Sequence, residues 1–284
     1  MRPAKFEYQR AASLGEAVKL LSNNDGAKAL AGGHSLLPAM SLRLNQPDAL
    51  VDIGRLDELK GISVTNNILT LGALSTHAQI AGSSDVRNHA PALATACGLV
   101  GDPQVRNWGT IGGNVAHADP ASDPPTVLVA YGASIHTHGV GGSRSISAED
   151  YFIDLFTTDL QEGELISTIE IPGSGDKKSA YAKLAHPASR YAVVGVCVVL
   201  EMDGATCSGA RVAVGGATPK ATRSQAAEAA LAGTSLDDRA LDAAANALLD
   251  DIGDELLSDI YASEAYRKAM AGVYLKRAVR SALG

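Results

Sequence analysis

Two short segments combine paired glycines with small polar residues: Ala31-Gly32-Gly33-His34-Ser35 and Thr110-Ile111-Gly112-Gly113-Asn114. We call them the first and the second glycine segment. Glycine has no Cβ and adopts either sign of φ, so the backbone N–H groups of a Gly-Gly step can approach a ligand closely. Consecutive amides in a turn or at a helix start form a concave anion site. The pair predicts a site for the two phosphates of a dinucleotide, although each segment alone is also compatible with a simple turn.

The second glycine segment continues into a stretch of short polar side chains. Asn114, His117, Asp119 and Asp123 follow one another closely. Side chains of this kind bind the hydroxyl groups of a sugar or ribitol. Trp108, the single tryptophan, directly precedes the segment and either stacks on a planar ligand or wedges the segment against the core.

Metal binding is not predicted. His117, Asp119 and Asp123 lack further ligands at suitable spacing, and so do His136 and His138, which we interpret as solvated strand residues. Three scattered cysteines are too few for a disulfide framework or a cysteine-rich cluster. Cys197 lies in the apolar run VVGVCVVLEM and is predicted to be a small buried residue.

Several other classes of protein are excluded by motif and charge. Neither glycine segment fits the G-x-G-x-x-G fingerprint or the phosphate-binding G-x-x-x-x-G-K-[ST] loop, and no G-x-S-x-G nucleophile motif occurs. The net charge of −7 argues against nucleic acid as a partner, because phosphate backbones are bound by clustered Lys and Arg. We predict no catalytic residue on this chain.

The composition is that of a globular protein with one large or two ordinary domains. Of its 284 residues, 46% are hydrophobic and 19% charged. The opening MRPAKFEYQR lacks the apolar stretch of a signal peptide, and no segment approaches the ~18 uncharged apolar residues of a membrane helix. We expect a cytoplasmic protein without a transmembrane segment.

Periodicity and capping predict the elements that position the glycine segments. Ser13 to Glu16 form a capping box at a helix start, while AKALAGG and ALVDIG read as short strands, and Asn66-Asn67 marks a hairpin. Two helical stretches, STHAQIAGSS and SDVRNHAPALATACGLV, come next. The Gly/Pro/Asn/Asp-rich stretch 101–125 has neither period and predicts a long functional loop.

The second half of the chain predicts a short helix in DPPTVLVAYGA, strands in ASIHTHG and GELISTIEIP, and a polar connector, IPGSGDKKSA, at a domain boundary. A three-stranded antiparallel meander with a turn at Asp203-Gly204 follows. Helices are predicted near 224–232, 236–250 and 263–282. This order of elements is typical of an α+β protein.

Four stretches together resemble a known family: LAGGHSLLPAMSLRLNQPDALVDIGRL, GDPQVRNWGTIGGNVAHADPASDPP, GELISTIEIP and AKLAHPASRYAVVGV. They are similar to the FAD-binding medium subunits of the molybdenum hydroxylases, the xanthine dehydrogenase family, and most of all to the medium chains of aerobic carbon monoxide dehydrogenases. The resemblance covers essentially the whole chain. It implies an FAD-binding domain of the vanillyl-alcohol-oxidase (PCMH) type at 1–175, with subdomains of about 1–55 and 56–175, and a C-terminal domain of three-stranded antiparallel sheet and helices at 176–284.

The resemblance also implies which residues contact FAD. The pyrophosphate and ribityl contacts would be Ala31, Gly32, Gly33, His34, Ser35, Thr110, Ile111, Gly112, Gly113 and Asn114. Asp123 would hold flavin hydroxyls, Ile166 the backbone position near the adenine side, and Lys183 a further cofactor contact. Tyr191 would lie against the isoalloxazine ring, with a strand tyrosine packed in a core as the alternative. His34 would contact the cofactor or a subunit interface.

Partner subunits follow from the same resemblance. A large subunit would hold the molybdenum cofactor and a small one two [2Fe–2S] clusters, in a dimer of heterotrimers. Electrons would pass from the clusters through FAD to an external acceptor, a quinone or another carrier, and the complex would meet a membrane at most peripherally. The alternatives are a medium subunit for a purine or other N-heterocycle, a stand-alone flavin reductase, and a non-redox binding subunit.

Overall fold

The computed structural model describes residues 2–173 and 175–284. Ser174, which falls in the connector predicted as the domain boundary, lies outside the described residues, as does Met1. Within the described ranges, no helix combines the length and the apolar character needed to cross a membrane.

The N-terminal part is a three-stranded parallel sheet with two helices. Its elements are β1 (Glu7–Arg10), α1 (Leu14–Ser22), β2 (Ala27–Leu30), α2 (Leu36–Ser41) and β3 (Ala49–Asp52). β3 is the central strand and pairs with both β1 and β2. The predicted helix start is confirmed, because the Ser13 side chain accepts a hydrogen bond from the Glu16 N–H at 3.1 Å. The Glu16 carboxylate accepts from the Ala12 N–H at 2.7 Å, one residue earlier than a capping box requires.

The middle part is built on a five-stranded antiparallel sheet in the order β4-β5-β10-β6-β7. Its strands are β4 (Ile62–Thr65), β5 (Ile68–Gly72), β6 (Ser134–Gly139), β7 (Gly142–Ser147) and β10 (Leu165–Pro172), with a small hairpin of β8 (Phe152–Asp154) and β9 (Thr157–Thr158) beside it. The helices are α3 (His77–Gly82), α4 (Ser84–His89), α5 (Pro91–Leu99), α6 (Pro103–Trp108), α7 (Ile111–His117), α8 (Asp123–Tyr131) and α9 (Ala148–Tyr151). The predicted hairpin is confirmed, since Asn66 and Asn67 take φ values of 51° and 60°, as both central residues of a type I′ turn must.

The stretch 101–125 is not the long loop that its composition predicts. It contains α6, α7 and the start of α8. Asp102 caps α6 by accepting from the N–H groups of Gln104 and Val105, and Thr110 caps α7 by accepting from Gly113. Helices of six and seven residues each span fewer than two turns, so they show no detectable 3.6-residue period.

The C-terminal part packs a sheet against three helices. The strands are β11 (Lys178–Ala185), β12 (Ala192–Asp203), β13 (Thr206–Gly215) and β14 (Thr222–Arg223), and the helices are α10 (Gln225–Leu231), α11 (Asp238–Asp251) and α12 (Glu264–Leu283). The three long strands form the predicted meander, to which β14 adds a fourth strand of two residues. The three predicted helices are confirmed. Cys197 is fully buried in β12, as predicted.

Helix α8 joins the middle part to the C-terminal sheet. All nine of its residues are buried, and it packs against β12 and β13. The Arg211 guanidinium of β13 donates to the carbonyl oxygens of Ala130 and Val129 at 2.8 and 3.1 Å, which satisfies carbonyls at the C-terminal end of the helix. The first residue of α8, Asp123, is thereby fixed at the end of a rigid element.

Candidate functional site

A groove of about 990 Å³ lies where the three parts of the chain meet. Its walls come from the end of β2, from α7, from residues 160–166 and from residues 189–191. Twelve of the fourteen residues predicted to contact the cofactor line it, so the structure brings together segments far apart in the sequence. The two exceptions, Ile111 and Lys183, are both buried away from the groove.

The first glycine segment lines this groove and has unpaired backbone donors. Within the described part of the chain, the N–H groups of residues 31–36 donate no hydrogen bond, and all six residues line the groove. Gly33 has a φ of +71°, a left-handed conformation that glycine adopts without strain. The His34 Nδ1–H donates to the Gly32 carbonyl at 2.8 Å, so this side chain fixes the turn. Successive free amides of this kind form an anion-binding concavity.

The first glycine segment lies against the backbone of the two residues that precede the second segment. A Cβ on Gly32 would overlap the carbonyl oxygen of Trp108, the residue two positions before Thr110. Any side chain at position 32 would therefore push the two segments apart. This close approach explains why glycine occupies position 32, independently of a ligand.

The second glycine segment differs from the first in that its backbone N–H groups already donate hydrogen bonds within the chain. Its amides are engaged: Ile111 N–H donates to the Ser75 carbonyl at 2.9 Å, Gly112 N–H to Ala73 at 2.8 Å, and Gly113 N–H to Thr110 Oγ1 at 3.2 Å. What this segment offers is space and side chains. A Cβ on Gly113 would meet only Thr110 Oγ1 at 2.9 Å and, more distantly, Ala31. Gly113 therefore keeps the groove open without being packed against other backbone.

The groove fits the dinucleotide that the sequence predicts. A row of six free N–H groups suits a pyrophosphate, which is an anion with several acceptor oxygens. The carboxamide of Asn114, which exchanges hydrogen bonds with Ser122 Oγ at 2.6 and 2.9 Å, borders the same wall. The volume of about 990 Å³ is at the upper end of small-molecule sites, as a ligand of FAD's size demands.

Asp123 lies at the groove as the centre of a buried polar cluster. Its Oδ1 accepts from the Tyr181 hydroxyl at 2.6 Å and its Oδ2 accepts from Lys183 Nζ at 2.7 Å. Burial raises the pKa of this carboxyl, and the contacts with Lys183 and Tyr181 oppose the rise. Both partners come from β11, so the cluster also fastens the C-terminal sheet to α8.

Tyr191 lines the groove. Its side chain is 45% exposed, so it is not the core-packed strand tyrosine considered as an alternative. It ends the turn between β11 and β12. Partial burial raises its pKa, and the nearby carboxylates of Asp119 and Asp123 raise it further.

Ile166 lies at an irregularity in β10. The pairing of β10 with β6 shifts register between Ile166 and Thr168. The bulge leaves the Ser167 carbonyl free to accept from the Ala73 N–H at 2.9 Å, just beside the second glycine segment. Ile166 itself lines the groove.

Sequence reasoning missed the 160–164 segment, which forms one wall of the groove and directly follows Asp159. Arg144 of β7 holds it: Nε and Nη2 donate to the two Glu164 carboxylate oxygens at 2.8 Å each, and Nη1 donates to Asp159 Oδ2 at 2.9 Å. This bidentate arrangement is the strongest geometry for a guanidinium and a carboxylate. The partners lie 15 and 20 residues from Arg144, beyond any local motif.

Replacing Arg144 by Met is expected to loosen this wall. We expect the free energy of unfolding to fall, since the bidentate hydrogen bonds to Glu164 and the bond to Asp159 are lost. FAD affinity should fall as well, because the wall segment loses its anchor. Urea unfolding and FAD titration measure the two effects. Arg280→Met, which removes an exposed pair with Asp238, is the control; equal losses in both variants would contradict the prediction.

His77 is a second groove residue that the sequence did not single out. It is the first residue of α3, is only 2% exposed, and lines the groove. Burial, aided by the charge of Arg106, lowers its pKa to about 4. The Thr76–Gln79 capping box that begins α3 is visible in the sequence, but nothing in it indicates that the histidine faces inward.

The remaining candidates stay at the periphery. Trp108 is 66% exposed, so the wedge against the core, one of its two alternatives, is wrong, and stacking on a planar ligand stays a prediction. His136 Nε2 lies 3.1 Å from Glu170 Oε2, and His138 Nδ1 lies 2.9 Å from Ser143 Oγ. Across residues 2–173 and 175–284 there is no group of three or more His, Cys, Asp or Glu side chains placed to hold a metal ion.

Comparison with known proteins gives a consistent result. The model of the FAD binding domain in molybdopterin dehydrogenase matches residues 4–174, and that of the CO dehydrogenase flavoprotein C-terminal domain matches residues 179–282. The chain is 38% identical to the carbon monoxide dehydrogenase medium chain of Hydrogenophaga pseudoflava, covering 99% of this chain and 98% of the relative. It is likewise 38% identical to the glyceraldehyde dehydrogenase medium chain of Sulfolobus acidocaldarius, covering 99% of each.

A solved structure shares the whole fold. The carbon monoxide dehydrogenase of Hydrogenophaga pseudoflava, in a form that lacks the Mo-pyranopterin moiety of the molybdenum cofactor, superposes with a TM-score of 0.96 at 40% identity, covering 100% of this chain and 99% of the matched one. The predicted α+β fold of an FAD-binding domain followed by an antiparallel sheet with helices is thereby confirmed. The chain belongs to the family of FAD-binding medium subunits of the molybdopterin dehydrogenases, which includes the carbon monoxide dehydrogenase medium chains.

Proposed function

We propose that this chain passes electrons from [2Fe–2S] clusters of a partner subunit through FAD to an external acceptor, as the medium subunit of an aerobic carbon monoxide dehydrogenase. The observation that carries the FAD-binding role is the row of six unpaired backbone N–H groups on residues that line a groove of dinucleotide size. The likeness over the whole chain to carbon monoxide dehydrogenase medium chains supports the choice of complex.

The residues of this chain bind and orient the cofactor and perform no acid–base step. FAD, when bound, supplies the ability to take up and release electrons. The amides of residues 31–36 would hold the pyrophosphate, and Gly113 would leave room beside it. Tyr191 would lie against the flavin ring, and Asp123 would bind the ribityl hydroxyls. His34 donates its Nδ1–H to the Gly32 carbonyl and so fixes the turn that presents these amides.

The partners in this proposal are a large molybdenum subunit and a small iron–sulfur subunit. Cys97, Cys197 and Cys207 of this chain are buried and separate, which supports clusters on another subunit. We propose a quinone or another carrier as the acceptor, since the sequence has no Rossmann fingerprint for a second nucleotide.

A second candidate substrate follows from one comparison. The glyceraldehyde dehydrogenase medium chain is as similar to this chain as the carbon monoxide dehydrogenase chain is, at 38% identity each. Oxidation of an aldehyde by the complex is therefore the alternative reaction. The two are separated by adding carbon monoxide or glyceraldehyde to the isolated complex without an acceptor and observing which one bleaches the flavin absorption.

The cofactor itself is tested by isolating the complex through a tag on this chain. We expect a yellow preparation that releases one FAD per copy of the chain on denaturation, together with two co-purifying subunits. A preparation without flavin would overturn the proposed function. An active yellow single chain without partners would instead favour a stand-alone flavin reductase.

A further inference from the structure

The ammonium group of Lys183 is fully occupied by acceptors within the chain. Nζ donates to Asp123 Oδ2 at 2.7 Å, to the Arg190 carbonyl at 2.8 Å and to the Leu99 carbonyl at 3.1 Å. A lysine ammonium has three N–H donors and no acceptor. The side chain is 1% exposed. No donor is left for a ligand, so the geometry does not support Lys183 as a direct cofactor contact.

The three acceptors lie at the ends of three separate elements. Leu99 is the last residue of α5, Asp123 is the first residue of α8, and Arg190 directly precedes Tyr191. The two helix ends are held in the core, whereas Arg190 belongs to the exposed turn 186–191 between β11 and β12. Lys183 therefore connects a rigid pair of helix ends to a surface turn.

The turn packs on the rest of the chain through the His186 ring, 4.5 Å from that of Tyr261, and through the Arg190 side chain against Gly101, but few hydrogen bonds anchor it. Its own hydrogen bonds are internal: the His186 N–H donates to the Tyr191 carbonyl at 2.8 Å, the Arg190 N–H donates to the His186 carbonyl at 2.8 Å, and His186 Nδ1 accepts from Ala188 and Ser189. Among the described residues, the bond from Lys183 to the Arg190 carbonyl is the one hydrogen bond that reaches residues 186–191 from outside. Arg190 also has a φ of +62°, a conformation that a non-glycine residue adopts only when its surroundings enforce it.

We propose that Lys183 is a positioning residue, charge-compensated by Asp123, that fixes the Arg190 carbonyl and so sets where the Tyr191 ring lies at the flavin end of the groove. The role of Tyr191 beside the flavin rests on the proposed function. The anchoring of the turn does not, since it concerns hydrogen bonds within the chain alone.

The test removes the anchor without leaving a buried charge unpaired. Lys183→Met alone would leave the buried Asp123 carboxylate without its ion-pair partner, which is strongly destabilising. The double variant Lys183→Met/Asp123→Asn removes both charges and keeps an acceptor oxygen for Tyr181. A second variant, Lys183→Arg, keeps the charge, but a planar guanidinium cannot match three acceptors that converge on one ammonium. Lys178→Met, on an exposed position of the same strand, is the matched control.

Hydrogen exchange on the flavin-free chain is the first readout. We expect the amides of residues 186–191 to exchange about tenfold faster in the double variant and in Lys183→Arg, with protection elsewhere unchanged, because one local anchor has been lost. Lys178→Met should match the wild type. Unchanged protection of the turn in whichever of the two Lys183 variants folds would overturn the proposal.

Visible circular dichroism of the flavin in the isolated complex is the second readout. The flavin signal reports the surroundings of the ring, so we expect its band shape to change in Lys183→Arg, which keeps Asp123, and to persist in Lys178→Met. An unchanged flavin band together with a loosened turn would overturn the link from Lys183 to the flavin end. A wild-type complex without flavin would refute the proposed function. The hydrogen-exchange result alone would then decide whether Lys183 anchors the turn.

Discussion

Replacing Gly113 by Val is expected to abolish FAD retention while leaving the chain folded. A Cβ at this position would meet Thr110 Oγ1 at 2.9 Å and otherwise face the groove, so the added side chain would occupy space that the ligand needs. We expect FAD to bind at least about 100-fold more weakly, a loss of about 2.7 kcal/mol in binding free energy. Fluorescence titration of the apoprotein with FAD, or the flavin content of the purified complex, measures this.

Gly113 gives a cleaner test than the other glycines of the two segments. At Gly32 a side chain would overlap the Trp108 carbonyl, and at Gly112 a Cβ would lie 2.6 Å from the Ala73 Cβ, so both variants would disturb packing. Gly33→Val should also lose FAD, but its φ of +71° adds backbone strain to the effect.

Gly15→Val is the matched control for Gly113→Val. Gly15 also lies in the first turn of a helix, α1, and has open space where its Cβ would be. The control should keep wild-type flavin content. If Gly113→Val bound FAD as tightly as the control does, the second glycine segment would have no part in holding the cofactor.

The elements that the sequence predicts well are those with a strong local signal. The Asn66-Asn67 turn needs two residues that tolerate positive φ, and the helix at Ser13 needs a hydroxyl to accept an N–H bond. Each requirement involves residues no more than four positions apart, so the sequence itself shows whether it is met. The three C-terminal helices are long enough for their apolar faces to repeat, which fixes their position to within a few residues.

The sequence predicts which segments form the site, but not which of them has free backbone N–H groups. Both glycine segments look alike in sequence, yet only the amides of the first are free, because carbonyls of Ala73 and Ser75 take those of Ile111 and Gly112. These acceptors lie almost 40 residues away in the chain. Only the folded arrangement of β5 and α3 against α7 brings them together.

The resemblance likewise marks Lys183 but not its partners. Its acceptors Leu99 and Asp123 lie 84 and 60 residues away. No local pattern tells a lysine that contacts a ligand from one whose three N–H bonds are used within the protein. The difference rests on burial and on the convergence of three carbonyl or carboxylate oxygens, which are properties of the tertiary structure.

Acidification is expected to destabilise the protein through His77. The ring is 2% exposed, its Nδ1 has no hydrogen-bond partner among the described residues, and Gly109 packs so closely that a Cβ there would lie 3.0 Å from the ring Cδ2. An imidazolium at this position would be desolvated and would lie at the N-terminus of α3, where the helix dipole disfavours a positive charge. Burial therefore lowers the pKa to about 4.

The sign of the effect follows from which state binds the proton. In the unfolded chain the imidazole takes up a proton near its ordinary pKa of 6.5, whereas in the folded chain it does so only near about 4. Between these values the unfolded state holds more protons, so lowering the pH favours unfolding. The contribution is zero above about pH 6.5 and reaches a loss of about 3 kcal/mol below pH 4.

His77→Gln isolates this contribution, because glutamine keeps a polar side chain and cannot titrate. Urea unfolding of both proteins between pH 7.5 and pH 4.5 gives the difference in the free energy of unfolding, in which the other titrating groups cancel. We expect the free energy of unfolding of the wild type to fall relative to that of His77→Gln as the pH drops below 6.5. Most of the ~3 kcal/mol should be lost by pH 4.5. Gln79→Ala, which breaks the capping box of α3 without removing a titrating group, should run parallel to the wild type. Parallel curves for His77→Gln as well would mean that the buried imidazole accepts its proton in the folded protein as readily as in the unfolded one. The buried surroundings of His77 beside Gly109 would then tolerate the positive charge of an imidazolium.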